Sequence, residues 1–188
     1  MKPIKHFKLI TKHKWYVYKN CRLAGITWQG IIHDLSKYSF IEFWESAKYF
    51  DGTVSPIDKS REVNGYSKAF LHHKGKNKHH WEYWIDGDKP IKMPFKYACE
   101  LICDYIAAGE TYMGKDFSFE AEYAWWQKKK DSLILMHKHT KQFVDDVLFQ
   151  LAVIEQKHLV LEKHTLKKIY RNVGRNISCL ANYTTNNQ

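Results

Sequence analysis

The segment His33-Asp34-Leu35-Ser36-Lys37 stands among imidazoles and a carboxylate of matching chemistry. His13 lies upstream, the doublets His72-His73 and His79-His80 lie downstream, and Asp104 sits inside an apolar run. Six of the eleven histidines therefore fall in four short segments. Neutral imidazole and carboxylate are donors that divalent transition metals select, so the chemistry these residues point to is that of a bound metal.

Each residue has a plainer reading as well. Asp104 lies in Cys99-Glu100-Leu101-Ile102-Cys103-Asp104-Tyr105-Ile106, where nearly every neighbour favours burial. A lone buried carboxylate costs several kcal/mol, so it needs a cation or several donors: a metal, or a Lys, an Arg or a Tyr hydroxyl. His13, between Lys12 and Lys14, is either a ligand or an exposed helix histidine. The block from Leu71 to Trp84 holds four histidines and three lysines against the single carboxylate Glu82. Neutral, metal-bound imidazoles would relieve the repulsion there, and so would a bound anion. Within that block Lys74, Asn77, Lys78 and Trp81 are the candidate substrate contacts.

These groups must be positioned by helices. Apolar spacing predicts a helix over about 4–22 through Phe7, Ile10, Val17 and Cys21, broken by Gly25, and a second over 27–38 with Thr27 as a possible cap. Ser39 can cap a third, with Phe40, Phe43, Trp44, Ala47 and Phe50 as its apolar stripe. Residues 52–64 read as a long loop, of the kind that is often functional. A helix then spans Tyr66 to His73 and is interrupted by Gly75. Asn77 can cap a short helix through Trp84, and 86–90 is a loop. Pro94 suits the first turn of a helix to Ala108, ended by Gly109. Ser118 and Thr140 are candidate caps of two further helices, the second carrying Phe143, Val144, Val147, Leu148 and Leu151. No strand alternation is evident, so the expected class is all-α.

At 188 residues the chain suits one domain. The expected division is a metal-binding helical domain over 1–151 and a basic helical extension with a polar tail over 152–188. The net charge of +10 suggests anionic partners, nucleotides or nucleic acid, or simply a lysine-rich surface. The four cysteines show no CxxC pair, and Cys99 and Cys103, one turn apart, are expected to be buried and reduced. No stretch reaches membrane-spanning length and the basic N-terminus has no apolar signal region, so a cytoplasmic protein with no membrane partner is expected.

Together these motifs resemble the HD superfamily of metal-dependent phosphohydrolases, an all-α group with the ligand order His, His-Asp, His, His, Asp. They look closest to an uncharacterised bacterial and phage family with His-Asp-x-Ser-Lys, His-His-x-x-x-Asn-x-His-His-Trp-x-Tyr-Trp and Glu-x-x-x-Asp motifs. Here those are His33 to Lys37, His72 to Trp84 and Glu100 to Asp104, and the resemblance spans roughly residues 4–151.

The resemblance implies an HD-like helical bundle in which His13, His33, Asp34 and Asp104 hold one ion. Asp34 would bridge to a second ion, completed by one histidine of each doublet. The ion could be Mn, Fe, Mg, Co, Ni or Zn. Asp34 and Lys37 become the catalytic candidates, the latter against a substrate phosphate oxygen, and Glu100 a carboxylate that orients the ligands. The implied activity is hydrolysis of a nucleotide or another small phosphate ester. The same ligands would serve a di-iron oxygenase. A third reading is a basic module that binds nucleic acid or a protein through the segment from Lys157 to Arg175.

Overall fold

The computed structural model describes residues 2–52 and 55–173. The tail from residue 174 onwards, with Cys179, lies outside the described residues. The described residues form ten α-helices, three short 3-10 turns and one two-residue-per-strand hairpin, an all-α bundle.

Helix α6 (Phe95–Met113) is the central post. Its run of apolar residues is buried on almost every side, from Ala98 and Leu101 to Ile106 and Ala107, as expected of a helix apolar all round. Glu100 and Asp104, four residues apart, share one face of it. The helix does not end at Gly109 as the sequence predicts. It continues for another turn, because Gly109 lets the Glu122 carboxylate and the Phe117 ring lie where a Cβ would stand, 2.3 and 2.6 Å from them.

Helix α1 (Pro3–Leu23) packs along α6 and buries His6, Ile10, His13, Val17, Asn20 and Cys21. Phe7, expected on the buried stripe, is half-exposed instead. Helix α2 (Thr27–Ile32) is short, and Thr27 is its first residue rather than its cap. Its Gly30 lies against Cys21 and the Tyr18 backbone. The helix expected over 27–38 therefore breaks at its middle. His33 is extended, Asp34 is left-handed (φ 53°), and Leu35–Tyr38 form a 3-10 turn. The Lys14 ammonium holds this break by donating to the carbonyls of Ile31 (2.7 Å) and His33 (2.6 Å), which the helix end leaves unpaired.

Ser39 caps α3 (Phe40–Tyr49) as expected, accepting from the Glu42 N–H. The expected stripe is revised, however: Ala47 and Phe50 are buried, Glu42 is buried with them, and Phe40 and Trp44 face outward. The predicted loop over 52–64 is largely helix α4 (Pro56–Asn64), with proline in its first turn and Gly65 (φ 76°) closing it. Ser67 caps α5 (Lys68–Lys76), which runs through Gly75, and Asn77 is its C-terminal cap rather than the start of another helix. Glu45 ties these elements to α3 by accepting from Ser60 Oγ, Ser67 Oγ and the Ala69 N–H. Trp81–Trp84 make a single 3-10 turn, and the loop expected over 86–90 carries the hairpin of β1 (Ile85–Asp86) and β2 (Lys89–Pro90).

Ser118 caps α7 (Phe119–Lys130), which pairs with α8 (Lys138–Ile154). Thr140 is not a cap: His137 takes that position, and buried Thr140 accepts from the Met93 N–H. Trp126 is fully buried, with its indole N–H on Asp145. Beyond residue 152, α9 (Lys157–Val160) and α10 (Lys163–Arg171) insert Val160, Leu161, Leu166 and Ile169 into the common core. Cys21, Cys99 and Cys103 are buried free thiols.

Candidate metal centre

Four segments converge beside α6, which adds a ligand candidate of its own. Helix α1 brings His13, the break after α2 brings His33 and Asp34, α5 brings His73, the segment after α5 brings His79 and His80, and α6 brings Asp104. Three groups of potential ligand atoms result, with all atoms of each group within 4.8 Å of one another; the third, His33, His79 and Glu100, lies behind the other two. The first is His13, His33, Asp34 and Asp104; the second is Asp34, His73, His79 and His80. Asp34 belongs to both of these. In an unbroken helix His33 and Asp34 would point about 100° apart. The left-handed Asp34, a conformation that Asp tolerates better than most residues, turns both side chains inward.

The contacts are short. His13 Nε2 lies 2.9 Å from Asp104 Oδ1, and His33 Nε2 lies 3.2 Å from Asp34 Oδ2 and 3.4 Å from Asp104 Oδ1. His73 Nε2 and His79 Nε2 lie 3.2 and 3.4 Å from Asp34 Oδ1. Among the described residues no Lys or Arg side chain forms an ion pair with Asp104.

Behind the ligands stand two carboxylates. Glu100 Oε1 accepts from His33 Nδ1 (3.0 Å) and lies 3.2 Å from His79 Nδ1, so one oxygen orients an imidazole of each group. Glu42 Oε2 accepts from His73 Nδ1 at 2.7 Å, and its Oε1 accepts from His72 Nδ1 at 2.6 Å. With the Nδ1 atoms engaged, the Nε2 atoms are left to face the centre. His72, one of the ligand candidates, is thereby turned away from it, while both histidines of the second doublet face in. Asn77 supports this wall by donating to Ser36 Oγ (2.7 Å) and to the His73 carbonyl (2.9 Å).

Electrostatics follow from this packing. Burial opposes charge on Asp34, yet His33, Lys37 and His73 outweigh it and hold the carboxyl well below the ordinary range. Lys37 Nζ stands 2.6 Å from Asp34 Oδ2; burial would depress its ammonium, but Asp34 and Asp104 more than compensate and raise it. Burial opposes charge on Glu100 too, and the hydrogen bonds from His33 and His79 keep it ionised. Burial, reinforced by His79 and His73, keeps His80 neutral.

The donor set fits a divalent cation on its own evidence. The buried Nε2 atoms of His33, His79 and His80 have no hydrogen-bond partner among the described residues, and neither Asp34 oxygen has a well-oriented one. Leaving such imidazole nitrogens buried and unpaired costs about 1–3 kcal/mol each, and a cation among them removes that cost, while Asp34 Oδ2 already faces the Lys37 ammonium.

Other candidates fall outside the centre. Lys78 is exposed over the Tyr83 ring, Trp81 packs against the core, and Lys74 is a partly buried neighbour of Glu82. Glu42 and Ser36 are the contributors that sequence reasoning passes over. The one signal for Glu42 is a single carboxylate in the otherwise apolar run Phe40-Ile41-Glu42-Phe43-Trp44.

The model of a family described as "Family of unknown function (DUF5662)" matches residues 2–150 of the chain. No curated protein matches, and no solved structure matches.

Proposed function

We propose that this chain, which belongs to the family of unknown function DUF5662, is an HD-type metal-dependent phosphohydrolase acting on a nucleotide or another small phosphate ester. The observation that carries this reading is the sharing of Asp34 between two buried ligand groups. His13, His33 and Asp104 would hold one ion with Asp34, and His73, His79 and His80 the other. Paired divalent ions supply a water of lowered pKa and a clamp for phosphoryl oxygens. The chain's own residues do the rest. Glu100 and Glu42 fix the imidazole tautomers, so that Nε2 lone pairs face the centre. Lys37, kept charged beside Asp34, offers an ammonium to a phosphate oxygen. His72 takes no part.

The test is the purified chain supplied in turn with Mn, Fe, Co, Mg, Ni and Zn and offered a panel of nucleotides and phosphate esters. Release of phosphate or nucleoside, lost in Asp34→Ala together with bound metal while the helical signal is kept, supports the reading. Metal-loaded protein that turns over no phosphate ester refutes it. A second reading rests on the donor count: five imidazoles against two carboxylates is a nitrogen-rich set that suits iron. Oxygen consumption by the iron-loaded chain, without phosphate release, would favour this di-iron oxygenase.

A further inference from the structure

Helices α1 and α2, the 3-10 turn and the start of α3 present one outer face of unusual composition. Residues 2–50 carry nine Lys and Arg and three acids, Asp34, Glu42 and Glu45. All three acids are engaged inside: Asp34 in the metal centre, Glu42 on His72 and His73, and Glu45 on Ser60, Ser67 and the Ala69 N–H. Lys37 is likewise engaged on Asp34, which leaves eight Lys and Arg of residues 2–50 with no carboxylate of that stretch free to pair with them.

The same elements expose large apolar side chains. Ile4 is 72% exposed, Trp28 66% and Phe40 79%, and Trp15, Leu35 and Ile41 are each more than half exposed. The elements are knit into one surface: the Phe7 and Tyr38 rings lie 5.9 Å apart, Thr11 Oγ1 meets Tyr38 Oη at 3.3 Å, and Lys14 clamps the end of α2. On α1, Ile4, Lys8, Trp15 and Lys19 fall within about 60° of arc by the helical repeat, opposite the buried line of His6, His13 and Val17. Lysines thus alternate with apolar groups on a single exposed strip.

We infer that this face docks on the surface of an anionic lipid bilayer. Clustered Trp and Phe with flanking Lys are what such an interface takes up: the rings enter the headgroup region and the ammonium groups meet anionic lipid. A second copy of the chain is a poor occupant, because the contact would set one uncompensated cationic face against another. Single-stranded nucleic acid fits less well, since Ile4, Leu35 and Ile41 have no ring to stack on a base. The docking is peripheral, for no helix among the described residues is long and apolar enough to cross a membrane. Span length and the lack of an apolar signal region led the sequence to predict no membrane partner; a face of this kind becomes visible only when burial is known. The inference is independent of the metal reading.

The test is flotation of the full chain with vesicles of phosphatidylcholine alone, and with about one-third phosphatidylglycerol added. Binding is expected to the anionic vesicles only and to weaken as salt rises, with quenching of tryptophan emission by brominated lipid. Trp28→Ala and Phe40→Ala should each weaken it about tenfold, and Lys8→Glu with Lys19→Glu at least tenfold. All these positions are exposed, and an unchanged circular dichroism spectrum and melting midpoint would show that the fold is kept. Failure to bind anionic vesicles at low salt overturns the inference. So does binding that Trp28→Ala with Phe40→Ala leaves intact, or oligonucleotide binding that those substitutions abolish while vesicles are ignored. Self-association lost in the same double variant, without vesicle binding, overturns it as well.

Discussion

On the two-ion proposal, replacing Glu100 by Gln should loosen both ions at once. Its Oε1 accepts from His33 at 3.0 Å and stands 3.2 Å from His79 Nδ1, and these imidazoles belong to different ligand groups. Gln keeps the shape and an acceptor oxygen but removes the charge. A hydrogen bond to an ionised acceptor is roughly twice as strong as a neutral one, so about 1 kcal/mol is lost on each of two bonds. Some 2 kcal/mol corresponds to about 30-fold in total metal affinity, inside the roughly 10–100-fold range known for carboxylates behind metal-bound histidines. Titration calorimetry with Mn or Zn, or competition against a chelator, reads this directly, with circular dichroism as the check on fold. Glu42→Gln is the comparison, because Glu42 touches only one facing ligand, His73. It should weaken one ion and spare the other. Glu100→Gln binding within about threefold of wild type, or loss confined to one ion, would refute the reasoning.

Three further outcomes follow from burial. His6, buried between the Phe43 and Phe50 rings, has its pKa lowered to about 4 by burial and then by Lys37. The unfolded chain therefore binds the extra proton, so the contribution of His6 is complete above pH 6.5 and lost as pH falls towards 4. Relative to His6→Phe, wild type should lose about 2–3 kcal/mol more stability between pH 7 and 4.5 in denaturant titrations. Glu122 runs the other way: burial, with Asp104 and Glu110 adding to it, raises its pKa to about 7. Its protonated form suits the fold, the penalty grows from pH 4.5 to 7, and Glu122→Gln should stabilise by about 2 kcal/mol at pH 8 but little at pH 4.5. Gly30→Ala would set a Cβ 2.8 Å from Cys21 Cβ and 3.0 Å from the Tyr18 Cα, forcing α2 off α1. A stability loss of about 1–3 kcal/mol by thermal melt, with weaker metal binding through the displaced His33, is expected.

The cluster of candidate ligands was legible in the sequence because imidazole and carboxylate carry their chemistry in residue identity, and short motifs hold them together. Glu42 was not, since a carboxylate amid Phe40, Ile41, Phe43 and Trp44 reads as the solvent edge of a core stripe; its partners lie thirty residues further on. The break at His33 was equally hidden. Asp tolerates the left-handed conformation without favouring it over helix, and Asp34 keeps it because Lys14, from another helix, satisfies the carbonyls freed by the break. Helix α4 was read as loop from its polar composition, and what holds it is Ser60 bonded to Glu45 on α3. Gly109 read as a stop signal, yet the close approach of Glu122 and Phe117 keeps it inside α6. In each case a distant segment outweighed local preference.

The contact of His13 with Asp104 joins residues 91 apart in the chain. Closing so large a loop is entropically slow, and no shorter stretch of the chain assembles both ligand groups. The group of His13, His33, Asp34 and Asp104 therefore comes into being only when α1 docks on α6, whereas the other is drawn from residues 34–80 alone. Ion uptake by the former then serves as a clock for that docking: in a refolding experiment with a metal-sensitive dye it should lag behind the recovery of helicity.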